Sequence, residues 1–317
     1  MTPTGLSAGV QYSCCRFAGR GAGRRVRRNS LIVVPIRQRW QLISQTAIFG
    51  TRGIEDPMPS NFVAQGAEGY EAVMGRFSRQ LAIPFLDFAV MPARGRVLDA
   101  GCGTGSLTLA LAARSDLETI EALDWEEAFV AALRQRSTDP RLSVQQGDVC
   151  ALPYADQQFD AAYSRLVLHF VSDPHRAVRE MHRVLRPGAT AAATVWANGG
   201  MASWRLFWDV IRQFEPEAAP PSKRPMTDEG ELQAAFESAG FKDVAATTLA
   251  IRMEYANFED FWQPMAYGQG AFGGFFDALP CQRQDRLRDA VRAAYLAGET
   301  DGPRGYASVA WAARGIA

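Results

Sequence analysis

The chain contains few of the residues that form metal sites and disulfide bonds. Its 317 residues include five cysteines and three histidines, with no Cys-x-x-Cys pair and no histidines at zinc-ligand spacing. No apolar stretch approaches the roughly 20 residues that a membrane-spanning helix needs. The best candidate, residues 31–36, is short and contains Pro35. These absences favour a reduced, metal-free, cytoplasmic protein without a membrane span.

Acidic side chains are also missing from residues 1–54, which contain nine arginines. Three interpretations are open: a targeting peptide, a basic arm for an acidic partner, or an extension without a fold of its own. We favour the third, with the natural product starting near Met58. The predicted organisation is an Arg-rich extension over residues 1–57 and one domain over residues 58–317. Substrate-cap elements are expected at about 200–225 and 255–300.

The body of the chain is acidic once this segment is set aside, with 25 basic against 34 acidic side chains. Nucleic-acid binding depends on cationic neutralisation of phosphates, so an acidic body is a poor match for a polyanion. The expected partner is a small-molecule acceptor and not a nucleic acid. A monomer or a homodimer is expected.

Apolar segments alternate with helical patterns along most of this body. The predicted strands are 96–98, 119–123, 142–145, 159–163 and 190–196, followed by 242–253 and 306–312. The clearest helix begins with Asp173 as its cap and Pro174 at its first position, and is expected to end at Gly188. The repeated strand-helix order predicts an α/β fold with a doubly wound, Rossmann-like sheet. Its ligand is expected at the carboxyl ends of the strands.

The most informative segment is the turn that follows the first strand. Asp99 precedes a glycine-rich turn, and Ser106 occupies the place of the third glycine in a dinucleotide-binding fingerprint. A carboxylate beside such a turn repels a pyrophosphate and attracts a cation. S-adenosylmethionine (SAM) carries a sulfonium and an ammonium and no phosphate, so it suits this turn better than NAD does.

At Asp99, Gly101, Gly103 and Gly105 the sequence resembles the first motif of the class I SAM-dependent methyltransferases. The resemblance implies a seven-stranded, mostly parallel sheet with one antiparallel late strand. It also implies SAM as the cofactor and S-adenosylhomocysteine (SAH) as the product. Within the turn, Cys102 and Thr104 are expected to contact the cofactor as well.

Two further acids extend this resemblance. Asp124 closes the second strand, where such folds place an acid that binds a ribose, and Trp125 follows it. The alternative role for Asp124 is a simple helix cap. Asp148 and Val149 match the family motif that contacts adenine through a carboxylate and a backbone N–H.

Other positions are less specific. The segment from Gly69 to Arg79 resembles the start of ubiquinone and menaquinone biosynthesis C-methyltransferases, which suggests that Tyr70 closes over the methyl group and Arg76 meets the methionine carboxylate. Ser164 follows the fourth strand and is expected at the cofactor. His169 is a candidate general base because its ordinary pKa lies near 6.5. A structural role at the edge of the pocket is the alternative for His169.

Aromatic residues dominate the region after the fifth strand. They are Trp196, Trp204, Phe207, Trp208, Phe258, Phe261, Trp262, Tyr267, Phe272, Phe275 and Phe276. If these rings face the pocket, the acceptor is apolar or aromatic, although such residues more often form core. The predicted function is in-line methyl transfer from SAM to a small acceptor. A non-catalytic SAM-binding subunit is the main alternative, and an NAD-dependent oxidoreductase is disfavoured by Asp99.

Overall fold

Seven strands form one sheet in the computed structural model, which describes residues 66–114, 116–214, 223–266, 275–276 and 279–317. The strands are β1 (Gly95–Ala100), β2 (Leu117–Asp124), β3 (Leu142–Gln146), β4 (Phe159–Arg165), β5 (Leu185–Met201), β6 (Lys242–Tyr255) and β7 (Arg304–Ile316). Their order across the sheet is β3-β2-β1-β4-β5-β7-β6. Strands β1 to β5 pair in parallel, and β7 pairs antiparallel with both β5 and β6. The predicted sheet, with one antiparallel late strand, is confirmed.

Helices supply the crossovers that parallel strands require. The segment that leads into the sheet, here called the leading segment, consists of α1 (Ala67–Tyr70), a π-helical turn (Glu71–Gly75) and α2 (Arg76–Ala89). The remaining helices are α3 (Thr108–Ala112), α4 (Glu127–Arg136), α5 (Pro174–Val184), α6 (Ala202–Phe214), α7 (Glu231–Ser238), α8 (Phe258–Ala266) and α9 (Cys281–Leu296). None of the helices in the described part of the chain is long and apolar enough to cross a membrane.

The direction in which successive strands are added to the sheet reverses between β1 and β4. From β1 it builds outward through β2 and β3, then crosses to β4 on the other side. Crevices outside the carboxyl ends of strands form where the winding reverses in this way, and ligands of doubly wound sheets bind there. The fold therefore places the candidate site at the carboxyl ends of β1 and β4.

Apolar cores cover both faces of the sheet. Alternate residues of β1 point to opposite faces, so Val97 joins the core under α2, α3, α6, α8 and α9, whereas Leu98 joins the core under α5 and α7. Burial on both faces explains why the central strands read as nearly continuous apolar runs.

The helix that begins at Pro174 ends earlier than its pattern predicts. Asp173 caps it as expected, since its carboxylate accepts a hydrogen bond from the Arg176 backbone N–H at 2.8 Å. However, the helix ends at Val184, because Leu185 already pairs with Phe159 of β4. A residue that precedes proline disfavours helical backbone angles, so Arg186 before Pro187 is a poor helix residue. Strand β5 therefore begins five residues before the predicted Thr190.

Asp228, with Glu231 three residues later, has the spacing of a capped helix start, but α7 begins only at Glu231. Gly230 precedes it with a φ of 81°, a left-handed conformation that ends any helical path from Asp228. The capping relation survives in part, since the Glu231 carboxylate accepts from the Asp228 backbone N–H at 3.1 Å.

Candidate functional site

The glycine turn connects β1 to α3 at the carboxyl edge of the sheet. Gly101, Gly103 and Gly105 all have positive φ, at 87°, 54° and 94°. A Cβ on Gly101 would lie 2.3 Å from a Val167 methyl group, and one on Gly105 would lie 2.3 Å from a Leu133 methyl group. Two of the glycines thus allow close packing.

Gly103 differs from these two, because a Cβ there would meet nothing within 4 Å. The backbone at this position borders open space, which is what the close approach of a ligand requires. Cys102 and Thr104 on either side are buried. Of the three glycines, Gly103 is therefore the one placed to face a ligand.

Asp99 lies fully buried beneath the turn. Its Oδ2 accepts a hydrogen bond from the Thr108 hydroxyl at 2.6 Å, whereas Oδ1 is buried without a partner in the described structure. Burial raises the pKa of this carboxyl to about 6, with the Thr108 bond and the Arg165 charge opposing the rise. Asp99 is therefore largely ionised at neutral pH, and one of its oxygens is available to a cationic group.

Asp124 at the end of β2 binds the backbone on both sides. Its Oδ2 accepts from the Gly103 N–H at 2.8 Å and its Oδ1 from the Glu126 N–H at 2.9 Å. Asp124 is not the N-cap residue of α4, which is Glu126, although its bond to the Glu126 N–H stabilises the chain just before that helix. Burial raises the pKa of Asp124 to about 6. An ionised carboxylate has about four acceptor positions, so Asp124 retains capacity for ligand hydroxyls.

The loop after β3 lies against this acid. The Gly147 N–H donates to the Asp124 carbonyl at 2.9 Å, and the Asp148 carboxylate accepts from the Cys150 N–H at 2.8 Å. Val149 is buried, whereas the Trp125 side chain is 39% exposed. The structure thus brings the loops after β1, β2 and β3 together at one edge.

The leading segment covers the glycine turn through a residue that the sequence did not single out. The Glu71 carboxylate accepts from the Thr104 hydroxyl, from Arg136 Nη1 at 2.8 Å and from Arg79 Nη1 at 2.6 Å. A Cβ on Gly75 would lie 2.4 Å from Glu71 Oε2, so a glycine is needed where this carboxylate folds back. The pairing of Glu71 with Gly75 one turn later was the available signal.

Tyr70 and Arg76 have different surroundings. The Tyr70 ring packs on Phe129 with centroids 5.1 Å apart, and its hydroxyl lies 3.2 Å from Ser78 Oγ. Arg76 Nη1 donates to both carboxylate oxygens of Asp260, at 2.9 and 3.1 Å. Arg76 therefore ties the leading segment to α8, and its guanidinium already has a carboxylate partner.

Ser164 lies within β4, which extends two residues beyond the predicted end at residue 163, and His169 lies four residues after the strand. Both residues are buried. Ser164 Oγ and His169 Nδ1 have no hydrogen-bond partner in the described structure. Burial, together with a smaller effect of the nearby Arg224 charge, lowers the pKa of His169 to about 3. His169 is thus neutral at physiological pH and a weak proton acceptor, which argues against the predicted role as a general base.

Comparison with known proteins agrees with this geometry. Residues 98–193 match the family described as "Methyltransferase domain". Demethylmenaquinone methyltransferase of Roseiflexus sp. is 30% identical over 196 residues, which cover 56% of this chain and 82% of that protein. The chain belongs to the SAM-dependent methyltransferases.

Other methyltransferases match over shorter stretches. Malonyl-[acyl-carrier protein] O-methyltransferase of Enterobacter lignolyticus is 36% identical over 126 residues, covering 39% of this chain and 48% of that protein. Trans-aconitate 2-methyltransferase of Deinococcus radiodurans is 36% identical over 131 residues, covering 41% and 49%. The chain spans about half the length of these two methyltransferases.

The donor of this family fits the residues present. An unpartnered buried carboxylate oxygen on Asp99 suits a positively charged ligand, and the open space at Gly103 allows a ligand to approach the backbone. A pyrophosphate at the same place would meet the negative charge of Asp99. The donor set therefore agrees with a methyltransferase that uses SAM.

The aromatic residues of the methyltransferase form core. Phe207 and Phe261 stack with centroids 4.6 Å apart, and Phe258 and Trp262 stack at 5.8 Å. All four are buried in the core on the α2 face of the sheet. These four rings thus pack as core, the arrangement that such residues more often adopt. Tyr267 and Phe272 lie outside the described residues.

Proposed function

We propose that the chain transfers the methyl group of SAM to a small-molecule acceptor. The observation that carries this proposal is Asp99, whose buried carboxylate keeps an unpartnered oxygen beneath the glycine turn. A buried ionised group is stable only when it is paired, so this oxygen calls for a positively charged ligand group. The family membership supports SAM as that ligand.

The same edge supplies a contact for each other part of the donor. We propose that the adenine lies between Trp125 and Val149, with its amino group toward Asp148. The ribose hydroxyls donate to Asp124, which closes β2. Residues of the glycine turn contact the donor mainly through their backbone; they are Gly101, Cys102, Gly103, Thr104 and Gly105. Ser164 and Tyr70 lie on the side of the transferred methyl group.

Methyl transfer needs little acid-base chemistry from the protein. SAM supplies an electrophilic methyl group, because its sulfonium is a good leaving group. The protein aligns the acceptor for in-line attack and excludes water, and alignment of two reactants supplies roughly 7 to 11 kcal/mol. The neutral, buried state of His169 is compatible with such a mechanism, since His169 need not accept a proton.

The nature of the acceptor is only partly indicated. The relatives are named for demethylmenaquinone, for a malonyl carrier protein and for trans-aconitate, so small apolar and small anionic acceptors both occur among them. Four of the aromatic residues that suggested an apolar acceptor are packed in the core and do not support that choice; they are Phe207, Phe258, Phe261 and Trp262. We infer a cytoplasmic enzyme, because the buried cysteines at 102 and 150 are free thiols.

Binding and turnover test this proposal. The purified protein should bind SAH in a calorimetric titration, and it should show no binding of NADH under the same conditions. Transfer of a labelled methyl group from SAM to a panel of quinols and carboxylic acids should then identify an acceptor class. A protein that binds NADH and ignores SAH would contradict the proposal. Binding of SAH without turnover on any acceptor would indicate a non-catalytic SAM-binding subunit.

A further inference from the structure

Arg165, the last residue of β4, is a buried arginine without an acidic partner. Arg165 is only 7% exposed. Its Nη1 donates to the Ser78 carbonyl at 2.8 Å and to Ser78 Oγ at 3.2 Å. Its Nε is buried without an acceptor, and no ion pair among the described residues includes this guanidinium. A buried charge without a counterion is costly, and most proteins pair it. The arginine therefore calls for an anion that the described chain does not supply.

Arg165 and Asp99 lie on neighbouring strands, at the carboxyl ends of β4 and β1. Asp99 of β1 stands opposite Tyr163 of β4, and Arg165 lies two residues beyond Tyr163 on the same face of the sheet. Burial raises the pKa of Asp99 and lowers that of Arg165, and the charge of each group partly offsets the shift of the other. The two charged groups thus interact electrostatically without a hydrogen bond between them. Each keeps one unpartnered atom, Oδ1 of Asp99 and Nε of Arg165.

Arg76, which the sequence suggested for the methionine carboxylate, is already engaged. Arg76 donates to both oxygens of Asp260 and belongs to the contact between the leading segment and α8. Its guanidinium can take a ligand carboxylate only by giving up this partner. Arg165 has no such partner to give up.

We propose that Arg165 is the carboxylate-binding residue of this site, with Asp99 as the opposite charge beside it. The inference rests on the proposed function and extends it to the charge of the bound ligands. The carboxylate has two chemical sources: the methionyl end of SAM, or an acceptor that carries a carboxylate. Arginine binds a carboxylate through two parallel N–H donors, a geometry that lysine does not reproduce.

The test compares Arg165→Met and Arg165→Lys with the wild type, and Arg114→Met serves as the control. Arg114 follows α3, where it pairs with the exposed Asp116. Each protein is titrated with SAH and with 5′-methylthioadenosine, which lacks the amino-acid end. The SAH-saturated proteins are then titrated with benzoate and with malonate.

If the donor supplies the carboxylate, Arg165→Met should bind SAH at least about tenfold more weakly, because it loses a charge-assisted bidentate pair. Arg165→Lys should bind SAH several-fold more weakly, and methylthioadenosine affinity should be unchanged in both. If the acceptor supplies it, SAH binding should be unchanged, whereas benzoate or malonate should bind the wild-type complex and lose that binding in both variants. The Arg114→Met protein should behave as the wild type throughout.

Thermal melting of the ligand-free proteins separates ligand binding from a structural role. Removal of a buried unpaired charge should leave the melting temperature of Arg165→Met equal to the wild type or higher, whereas loss of a structural arginine would lower it. Should Arg165→Met not fold, Arg165→Lys decides the question.

The inference is overturned if the variants bind SAH, benzoate and malonate as the wild type does. Equal losses of SAH and methylthioadenosine affinity would also overturn it, because they indicate general damage to the site. Failure of the proposed function is a separate result, since the wild-type protein itself would then not bind SAH.

Discussion

Asp99 is a residue at which binding and stability oppose each other. Burial disfavours the ionised form of its carboxyl group. The same carboxyl group keeps Oδ1 without a partner in the described structure, and a cationic ligand could bind to this oxygen. Residues held in such a state are typical of binding sites, where part of the stability of the ligand-free protein is given up.

Substitution of Asp99 by Asn should therefore stabilise the ligand-free protein and weaken ligand binding. The folded pKa is raised to about 6 from 3.8, so the folded state is stabilised by protonation below pH 4 and loses that stabilisation as the pH rises through 6. At pH 8 the wild type then carries a cost of about 3 kcal/mol that the variant lacks, at 1.36 kcal/mol per unit. The asparagine oxygen can still accept from Thr108.

Melting curves between pH 4 and pH 8 check this expectation. Asp99→Asn should melt above the wild type at pH 8, and the difference should shrink as the pH falls toward 4. Calorimetry at pH 8 should show weaker SAH binding. A lower melting temperature for the variant at pH 8 would mean that the ionised carboxylate has a structural partner.

Asp124 leads to a second expectation at the scale of one residue. Asp124→Ala should weaken SAH binding about ten- to a hundred-fold, because a hydrogen bond to a charged acceptor contributes about 1.5 to 3 kcal/mol. Calorimetry measures the dissociation constant. Asp116→Ala, an exposed acid just before the start of the same strand, is the matched control and should bind SAH as the wild type does. Unchanged affinity in Asp124→Ala would remove the ribose assignment.

At the scale of an element, the glycine turn combines two different requirements. Gly101 and Gly105 fit against Val167 and Leu133, whereas Gly103 borders open space. A sequence motif does not distinguish the three glycines, because their spacing in the sequence does not show which residues each of them contacts in the fold.

Two substitutions should separate these roles. Gly105→Ala should lower the free energy of unfolding by about 2 to 5 kcal/mol, because it adds overpacking to a strained backbone angle. Gly103→Ala should cost only about 1 to 2 kcal/mol, for its left-handed backbone, but should sharply weaken SAH binding. Urea unfolding and calorimetry measure the two quantities. Wild-type affinity in Gly103→Ala would show that the open space is not the ligand side.

The leading segment shows how an element acquires its place. Its apolar residues recur at helical spacing, and the structure is helical over residues 67–89. Its position over the glycine turn depends on Glu71, which contacts Thr104 and Arg136 from distant parts of the chain. Contacts with such distant residues leave no local trace except Gly75, which makes room for the carboxylate, and Glu71 was therefore missed.

At the scale of the whole molecule, the domain boundary remains a prediction. Residues 1–65 lie outside the described residues. A protein that begins at Met58 should keep the melting temperature and SAH affinity of the full chain, because the described fold starts after that point. Parallel melting and calorimetry of both proteins check this. A large loss of either property would show that residues 1–57 contribute to the fold or the site.

The alternating apolar pattern and the order of motifs were sufficient for the class of fold. Parallel strands need helical crossovers. The spacing of apolar residues within each segment shows whether that segment is a strand or a helix. Asp99, the glycines and Asp124 were predicted as site residues for the same reason, since each stands next to a strand end that is itself recognisable. The sequence alone thus determined the sheet and the sign of charge beneath the turn, and it predicted the edge at which the ligand binds.

Only the tertiary structure decided what the remaining polar groups do. Arg76 contacts a residue 184 positions away, and Arg165 contacts one 87 positions away. Burial of His169 and the packing of the aromatic residues likewise depend on surrounding elements. Partner, exposure and pKa are properties of the folded neighbourhood, and residues far apart in the chain create that neighbourhood.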